Sequence, residues 1–182
     1  MIRLFTALEL PAAARERLAA LAGGVPGARW TPAENMHLTL RFIGNVDEIT
    51  AQELAEALTG VRARAFDLVI EGVGTFSRGR KASMLWAGVA RNDALMHLQE
   101  RIESVLVRAG LPPEPRKFSP HVTLARLKDS PRARVEEFIA AHSLLRLPPA
   151  RADSFTLFSS FHGHEHPTYR AEAHYDLMEA SS

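Results

Sequence analysis

The sequence contains no cysteine among its 182 residues. Disulfide bonds, thiolate catalysis, zinc–cysteine sites and iron–sulfur clusters are therefore excluded, and a cytoplasmic location is expected. No apolar run approaches the roughly 20 residues that span a bilayer, so no membrane association is expected. The opening segment MIRLFTALELP is short and carries Glu9, which is not typical of a signal peptide.

Lysine is scarce, and the overall charge is almost balanced. The chain has 22 basic and 21 acidic residues, giving a formal net charge of +1, and its lysines are Lys81, Lys117 and Lys128. Such a balance provides no global field for holding a nucleic acid, so any site for a polyanion must be local. The hydrophobic fraction of 46% and charged fraction of 24% are typical of a globular domain.

Helical and extended segments are predicted to alternate along the chain. Strands are expected at 2–10, 35–45, 65–76, 84–90, 118–126, 153–161 and 169–177, and helices at 12–22, 47–59, 92–110 and 131–142. Several of the strands are joined by short turns rather than by helices. The pattern predicts an α+β fold with mostly antiparallel sheets, not a doubly wound parallel fold.

A four-residue motif occurs twice, each time in a predicted strand. HLTL at 37–40 is followed 84 residues later by HVTL at 121–124. Because side chains alternate along a strand, the histidine and threonine of each copy share one face and the aliphatic residues share the other. A duplicated unit would bring the two strands together about a pseudo-twofold axis, with two histidines flanking two threonines.

The chemistry of such a site is that of acid–base catalysis on a phosphate. Two imidazoles can supply a base and an acid near neutral pH, and two hydroxyls can donate hydrogen bonds to phosphate oxygens. Neither motif contains a carboxylate that would hold Mg²⁺. In-line displacement at phosphorus needs the attacking and leaving oxygens on opposite sides, which two pseudo-symmetric histidines provide. The motifs therefore favour phosphodiester cleavage without a metal or other cofactor.

The segments NMHLTLRFIG and FSPHVTLAR resemble the two H-x-T-x signatures of the 2H phosphoesterase superfamily. Within it, the chain is most similar to the RNA 2′,3′-cyclic phosphodiesterases, historically called 2′-5′ RNA ligases. The resemblance extends to RLFTALELP, Trp30, GVGTF at 72–76, the LW pair at 85–86 and a closing strand begun by Tyr169.

The resemblance implies one bilobal domain over residues 1–182, in which two mostly antiparallel sheets line a central cleft with helices outside. It also implies a metal-independent and ATP-independent enzyme. Such an enzyme opens a terminal 2′,3′-cyclic phosphate on RNA or a nucleotide to a 2′-phosphate. Some members reversibly join RNA ends through 2′-5′ linkages. No obligate protein partner is evident, and a monomer is expected.

The resemblance also implies roles for the motif residues. His37 would be the proton donor to the departing O3′, and His121 would be the proton acceptor that activates water. Thr39 and Thr123 would donate hydrogen bonds to nonbridging phosphate oxygens. Pseudo-symmetry alone leaves the two histidines interchangeable.

Two further substrate-binding residues are expected five positions after the histidines. These are Phe42 and Arg126, which the family places near the nucleotide. Strict alternation would direct an odd offset to the opposite face of the strand. Their participation therefore requires a bulge or a strand end.

Other readings of the sequence remain open. The chain could be a noncatalytic module that binds RNA ends or nucleotides, or a 2H phosphodiesterase for another substrate such as 2′-5′ oligoadenylate. The tract His162, His164 and His166 could bind a metal, although Gly163 and Pro167 favour an exposed turn. The basic cluster SRGRK at 77–81 is interpreted as a solvated turn, with contact to RNA as the alternative.

Overall fold

The computed structural model describes residues 1–179, in which four α-helices pack against mostly antiparallel strands. The helices are α1 (Ala12–Ala19), α2 (Glu48–Leu58), α3 (Asp93–Arg108) and α4 (Arg132–Ala141), and a short 3₁₀ helix covers Ala33–Asn35. The strands are β1 (Ile2–Glu9), β2 (Ala28–Trp30), β3 (His37–Val46), β4 (Phe66–Leu68), β5 (Ile70–Arg78), β6 (Lys81–Val89), β7 (Val122–Leu127), β8 (Ala150–Ala152), β9 (Ser154–Phe161) and β10 (Thr168–Asp176). The predicted α+β class with mostly antiparallel strands is confirmed.

Most strands belong to one large sheet with two distinct halves. Its order is β10–β9–β1–β3–β7–β6–β5, with β2 paired to β7, while β4 and β8 form a separate two-stranded sheet. We call β10–β9–β1–β3 the first half-sheet and β7–β6–β5 with β2 the second half-sheet. The two meet where β3 and β7 share one antiparallel pair, Leu38 opposite Val122.

Equivalent positions of the two halves face each other at two places. Leu38 lies opposite Val122, and Asp67 of β4 lies opposite Arg151 of β8. Each pair is separated by 84 positions, the same interval that separates HLTL from HVTL. Because residues directly opposite each other in an antiparallel pair are related by a local twofold axis, both pairs mark one pseudo-symmetry.

Side-chain caps define where two of the helices begin. Asp47 accepts a hydrogen bond from the Thr50 amide at 2.7 Å, and Asn92 accepts one from the Leu95 amide at 3.0 Å. The apolar stripe of α3 is buried in the core; it consists of Leu95, Leu98, Ile102 and Leu106. In the described range, none of the helices is both long enough and apolar enough to cross a membrane.

Several local features differ from the sequence prediction. The single strand predicted at 65–76 is divided into β4 and β5, which belong to different sheets. The segment 23–32, in which neither a helix nor a strand was predicted, contains β2, which pairs with β7. The short strand β8 was not predicted, because its three residues carry no alternating pattern of their own. The strand predicted at 118–126 begins only at Val122, since residues 118–121, which include Pro120, pair with no neighbouring strand. Residues 180–182 of the predicted domain lie outside the described residues.

A buried arginine ties the first motif strand to α3 and to the loop that leads into the second motif. Arg41 of β3 is only 7% exposed and forms an ion pair with Glu103 of α3 at 2.5 Å. Its guanidinium also donates to the carbonyls of Phe42 and Pro112, the latter at 2.6 Å. Glu103 in turn accepts the Glu114 amide at 3.0 Å. Every part of this network is satisfied, as a buried charge requires.

We expect Glu103→Ala to lower the free energy of unfolding by about 3 kcal/mol, because it leaves the buried Arg41 charge without its carboxylate. The matched control is Glu100→Ala on the exposed side of the same helix, which should change stability by less than about 0.5 kcal/mol. Urea denaturation measures both variants. Equal stabilities for the two would contradict the role given to the Arg41–Glu103 pair.

Candidate active site

The two motifs place four polar side chains on one face at the junction of the half-sheets. Leu38 and Val122 are fully buried, whereas His37, Thr39, His121 and Thr123 are only partly buried. With Leu38 opposite Val122, the antiparallel register directs His37 toward Thr123 and Thr39 toward His121. The histidines are close enough for His121 to contribute to a lowered pKa at His37. The structure therefore brings together all four motif residues.

Both imidazoles are held by a backbone carbonyl two residues earlier in the chain. His121 Nδ1 lies 2.7 Å from the Ser119 carbonyl oxygen. A backbone hydrogen bond at Asn35 acts on His37 in the same way and opposes the lowering of its pKa. An Nδ1–H that donates to a carbonyl leaves Nε2 as the nitrogen that exchanges protons in the cleft. The arrangement suits acid–base chemistry at both sides of one centre.

Aromatic rings surround His37. Phe5 stacks on the imidazole with ring centroids 4.9 Å apart, and Tyr169 meets it edge-on at 5.2 Å. Phe158 lies slightly farther away, at 6.1 Å. Removal from water by these rings disfavours the charged imidazolium and lowers the pKa of His37 to about 4.

His121 has a separate aromatic environment in the second half-sheet. Phe76 meets its ring edge-on with centroids 4.9 Å apart, and Trp86 lies at 6.5 Å. Burial is the main cause that lowers the pKa of His121, and the nearby positive charge of Arg126 acts in the same direction. The two histidines are therefore both biased toward the neutral form.

The threonines differ in their present partners. Thr39 Oγ1 lies 3.0 Å from His37 Nε2, so its hydroxyl can donate to the neutral imidazole. The Thr123 hydroxyl instead donates to the sulfur of Met84 at 3.6 Å, which is a weak acceptor. Both hydroxyls can exchange these contacts for a stronger, anionic acceptor.

Bulges bring Phe42 and Arg126 to the same face as the histidines. The β1–β3 register skips Leu40, and the β6–β7 register skips Leu124, the equivalent position. Each bulge buries two successive residues and reverses the alternation beyond them. Phe42 is half exposed beside Phe5, and the charge of Arg126 acts on the pKa of both His121 and Tyr169.

The remaining sequence candidates lie outside this constellation. The histidine tract 162–166 forms the connection between β9 and β10. Across residues 1–179, no group of three or more His, Cys, Asp or Glu side chains is arranged to hold a metal ion. Within the basic cluster, Lys81 pairs with Asp129 at 2.6 Å in solvent. Trp30 is partly buried and packs against Phe138.

The aromatic walls are the part of the site that the sequence did not reveal. Phe5, Phe76 and Phe158 come from three different strands and carry no local motif. The signal that could have found them is the pairing register, since Phe5 lies opposite both Phe42 and Phe158. Register is a tertiary property and cannot be read from one strand alone.

Comparison with known proteins assigns the family. A family model described as "LigT like Phosphoesterase" matches residues 8–86 and again residues 88–169. These two matches cover most of the chain, and each contains one H-x-T motif. The chain belongs to the LigT-like phosphoesterase family.

Individual relatives agree with this assignment. The chain is 40% identical over 106 residues to the RNA 2′,3′-cyclic phosphodiesterase of Aeropyrum pernix, covering 58% of this chain and 60% of that protein. It is 42% identical over 108 residues to the same-named protein of Thermotoga maritima, covering 58% and 57%. The chain thus spans less than two thirds of the length of either relative.

A solved structure matches over nearly the whole chain. The structure of Escherichia coli LigT complexed with 3′-AMP superposes with a TM-score of 0.76 at 27% identity, covering 97% of this chain and 98% of that one. The apo form of the same protein gives a TM-score of 0.78 at 26% identity, covering 97% of both chains.

The low pKa of His37 predicts a specific loss of stability in acid. Between pH 6.5 and 4 the unfolded state binds a proton that the folded His37 does not, so stability falls as the pH decreases. The slope from this residue is at most about 1.4 kcal/mol per pH unit. His37→Gln should remove the part of the pH dependence of the unfolding free energy that His37 contributes. His97→Gln, at an exposed position of α3, should leave that part in place.

Urea denaturation at several pH values from 4 to 7 measures both variants against the unchanged protein. Parallel pH dependences for the protein and for His37→Gln would contradict burial of a neutral imidazole at this position.

Proposed function

We propose that the protein is an RNA 2′,3′-cyclic phosphodiesterase that hydrolyses a terminal 2′,3′-cyclic phosphate to a 2′-phosphate. The observation that carries this proposal is the convergence of two carbonyl-held histidines and two threonines at one junction of the sheet. The names of the relatives support the reaction, and the 3′-AMP complex of the E. coli protein supports binding of a nucleotide.

In the proposed reaction, water attacks phosphorus and the bond to O3′ breaks. His121 accepts a proton from the attacking water through Nε2, and His37 donates a proton to the departing O3′. The product carries a 2′-phosphate and a free 3′-hydroxyl, and solvent returns both histidines to their starting states. The assignment of donor and acceptor rests on the resemblance to the family, since the pseudo-symmetry treats both alike.

Substrate binding must change the protonation of His37 before it can act as an acid. With a pKa of about 4, this imidazole is neutral in the free protein near pH 7. An anionic phosphate placed beside it favours the imidazolium and raises its pKa. Binding of the substrate is therefore coupled to uptake of a proton, and the His37 imidazolium forms in the enzyme–substrate complex.

The other site residues bind the substrate in this proposal. Thr39 and Thr123 donate to the nonbridging phosphate oxygens, giving up their contacts with His37 and Met84. Phe42 offers a half-exposed ring for the nucleotide, and Arg126 offers a positive charge on the same face. Charge-assisted hydrogen bonds to a phosphate are stronger than the neutral contacts that they replace.

The proposal includes no metal or cofactor, and the catalytic unit is a cytoplasmic monomer. The absence of cysteine supports a location where disulfides do not form. If the 5′-hydroxyl of an RNA strand replaces water as the nucleophile, the same proton transfers produce a 2′-5′ linkage. Such ligation is reversible and needs no ATP, because the cyclic phosphate supplies the leaving group.

The function is tested with an oligonucleotide that ends in a 2′,3′-cyclic phosphate, incubated in EDTA. We expect ring opening, with the phosphate at the 2′ position when the product is mapped by phosphorus NMR. A 3′-phosphate product would contradict the assigned leaving group. Activity lost in EDTA and restored by Mn²⁺ or Zn²⁺ would contradict the metal-free reaction, and binding without turnover would identify a noncatalytic module.

The histidines should control both the rate and its pH dependence. His37→Ala and His121→Ala should each lower kcat/KM by about 10²- to 10⁴-fold, as expected for a lost acid or base. The control His162→Ala alters an exposed turn histidine and should leave the rate unchanged. For the unchanged enzyme, the pH profile of kcat and the pH profile of kcat/KM should both be bell-shaped.

The two profiles should also differ from each other. Because bound phosphate raises the pKa of the proton donor, the alkaline limb for kcat should lie at higher pH than that for kcat/KM. Superimposable alkaline limbs would show that His37 gains no proton on binding.

A further inference from the structure

A side-chain hydrogen bond joins the segment before the first motif to the hairpin between β9 and β10. The Asn35 side-chain amide donates to the Pro167 carbonyl at 2.9 Å, across 132 positions of the chain. A carbonyl oxygen can only accept, so the contact requires the amide nitrogen and fixes the orientation of the Asn35 side chain.

The pairing registers place the two partners near opposite ends of the first half-sheet. The strand β3 begins opposite Glu9, at the end of β1, whereas β10 begins near the level of Arg3, at the start of β1. Six residues of strand, roughly 20 Å, separate these two levels. The first half-sheet therefore curls, so that the start of β10 lies beside the start of β3.

The same two segments meet again two residues further along the chain. Tyr169 lies edge-on to the His37 imidazole with ring centroids 5.2 Å apart, and edge-on to Phe5 at 5.1 Å. Residues 167–169 therefore run beside residues 35–37, on the cleft face where His37 lies. The Asn35–Pro167 bond holds one end of this contact, and the aromatic pair forms the other.

The Asn35 side of the bond is fixed independently of the hairpin. Asn35 ends the 3₁₀ helix, its backbone amide donates to the Pro32 carbonyl at 2.9 Å, and the next residue, Met36, is buried in the core. The start of β10 has less support, because β10 lies at the edge of the sheet and pairs with β9 alone among the described strands. The bond therefore holds the edge strand in place.

The second motif has the equivalent backbone contact but a different side chain. Ser119 stands 84 positions after Asn35, and its carbonyl holds His121 as the Asn35 carbonyl holds His37. Serine has no amide, and Ser119 is exposed. Any residue at position 35 retains the carbonyl, so a substitution there removes only the contact with Pro167.

We propose that Asn35 is a positioning residue for the reaction, because its side-chain amide holds the start of β10, and with it the Tyr169 ring, against His37. The inference rests on the proposed function and adds a residue to it. Asn35 itself touches no substrate. Without the bond, the edge strand moves away from His37, and the imidazole loses the fixed orientation that proton transfer to O3′ requires.

The titratable side chains around His37 come from the strands packed against it. On β1, Glu9 lies opposite His37, and its carboxylate accepts a hydrogen bond from a hydroxyl of β9 at 3.2 Å. On β7, His121 acts on His37 through its charge. On β10, burial raises the pKa of Tyr169, so its hydroxyl stays neutral. A substitution at position 35 alters none of these groups, so the pKa of His37 reports how far its ring is exposed.

The first measurement is the pKa of His37 in the free protein, from the pH dependence of the imidazole NMR resonances, with His37→Gln to assign the signal. Asn35→Ala should raise this pKa from about 4 toward the ordinary value of 6.5, because the ring gains contact with water. Asn35→Gln retains an amide and should keep the pKa closer to that of the unchanged protein. This measurement needs no substrate.

The second measurement is turnover of an oligonucleotide that ends in a 2′,3′-cyclic phosphate. Asn35→Ala should lower kcat at its optimal pH by about three- to tenfold, the range for one neutral hydrogen bond. KM should change by less than about twofold, because Asn35 makes no contact with the substrate. Asn35→Gln should recover part of the lost kcat.

Tyr169→Ala tests whether Asn35 acts through the tyrosine ring. In a protein that already carries Tyr169→Ala, the change Asn35→Ala should lower kcat little further, because the ring that it positions is absent. Reductions in kcat that multiply in the double variant would overturn the inference.

The matched control is Asn45→Ala, which removes an exposed amide near the far end of β3 and should leave the pKa of His37 and kcat unchanged. Thermal unfolding confirms that each variant is folded. An Asn35→Ala variant that keeps the pKa of His37 near 4, or that keeps the full kcat, would overturn the inference and leave the proposed function intact. If the unchanged protein hydrolyses no cyclic phosphate, the proposed function fails, and a raised pKa of His37 in Asn35→Ala still supports the positioning contact.

Discussion

The antiparallel contact between Leu38 and Val122 is the constraint on which the arrangement of the site depends. Both side chains are fully buried, so the register of β3 against β7 is fixed by the core. A slip of one residue would turn the histidines into the core and the aliphatic residues into the cleft. The apolar half of each motif therefore positions the polar half, and the two halves of the motif cannot be altered independently.

Equivalent β-bulges in the two half-sheets present chemically different side chains. Bulges at Leu40 and Leu124 direct the residues beyond them to the face of the cleft, but one presents Phe42 and the other Arg126. The first half-sheet surrounds its histidine with Phe5, Phe158 and Tyr169. The second places Phe76 and Trp86 beside its histidine, and the positive charge of Arg126 also acts on it. The pseudo-symmetric backbone thus supports aromatic surroundings at both histidines, with a different side chain presented after each bulge.

The sequence predicted those parts of the structure that are determined locally. The alternation within HLTL and HVTL indicated which residues share a face, and Asp47 and Asn92 indicated where helices begin. It also showed that Phe42 and Arg126 could reach the cleft only through bulges, but it could not show that the bulges exist.

Features that depend on contacts distant in the chain were not predictable from the sequence. The strand β2 has only three residues and forms because β7 offers a free edge. The lowered pKa of His37 arises from burial by aromatic rings of the strands β1, β9 and β10. No sequence pattern within one strand predicts such a cluster.

The order of the strands has a consequence for synthesis of the protein on the ribosome. The strands β9 and β10 follow the second motif in the chain, yet they complete the half-sheet that contains the first motif. Phe158 and Tyr169, which enclose His37, are therefore translated more than a hundred residues after it. Pairings between such distant segments form slowly and only after both have emerged. A nascent chain that already displays both histidines still lacks the aromatic enclosure of His37, which is completed only with the last strands.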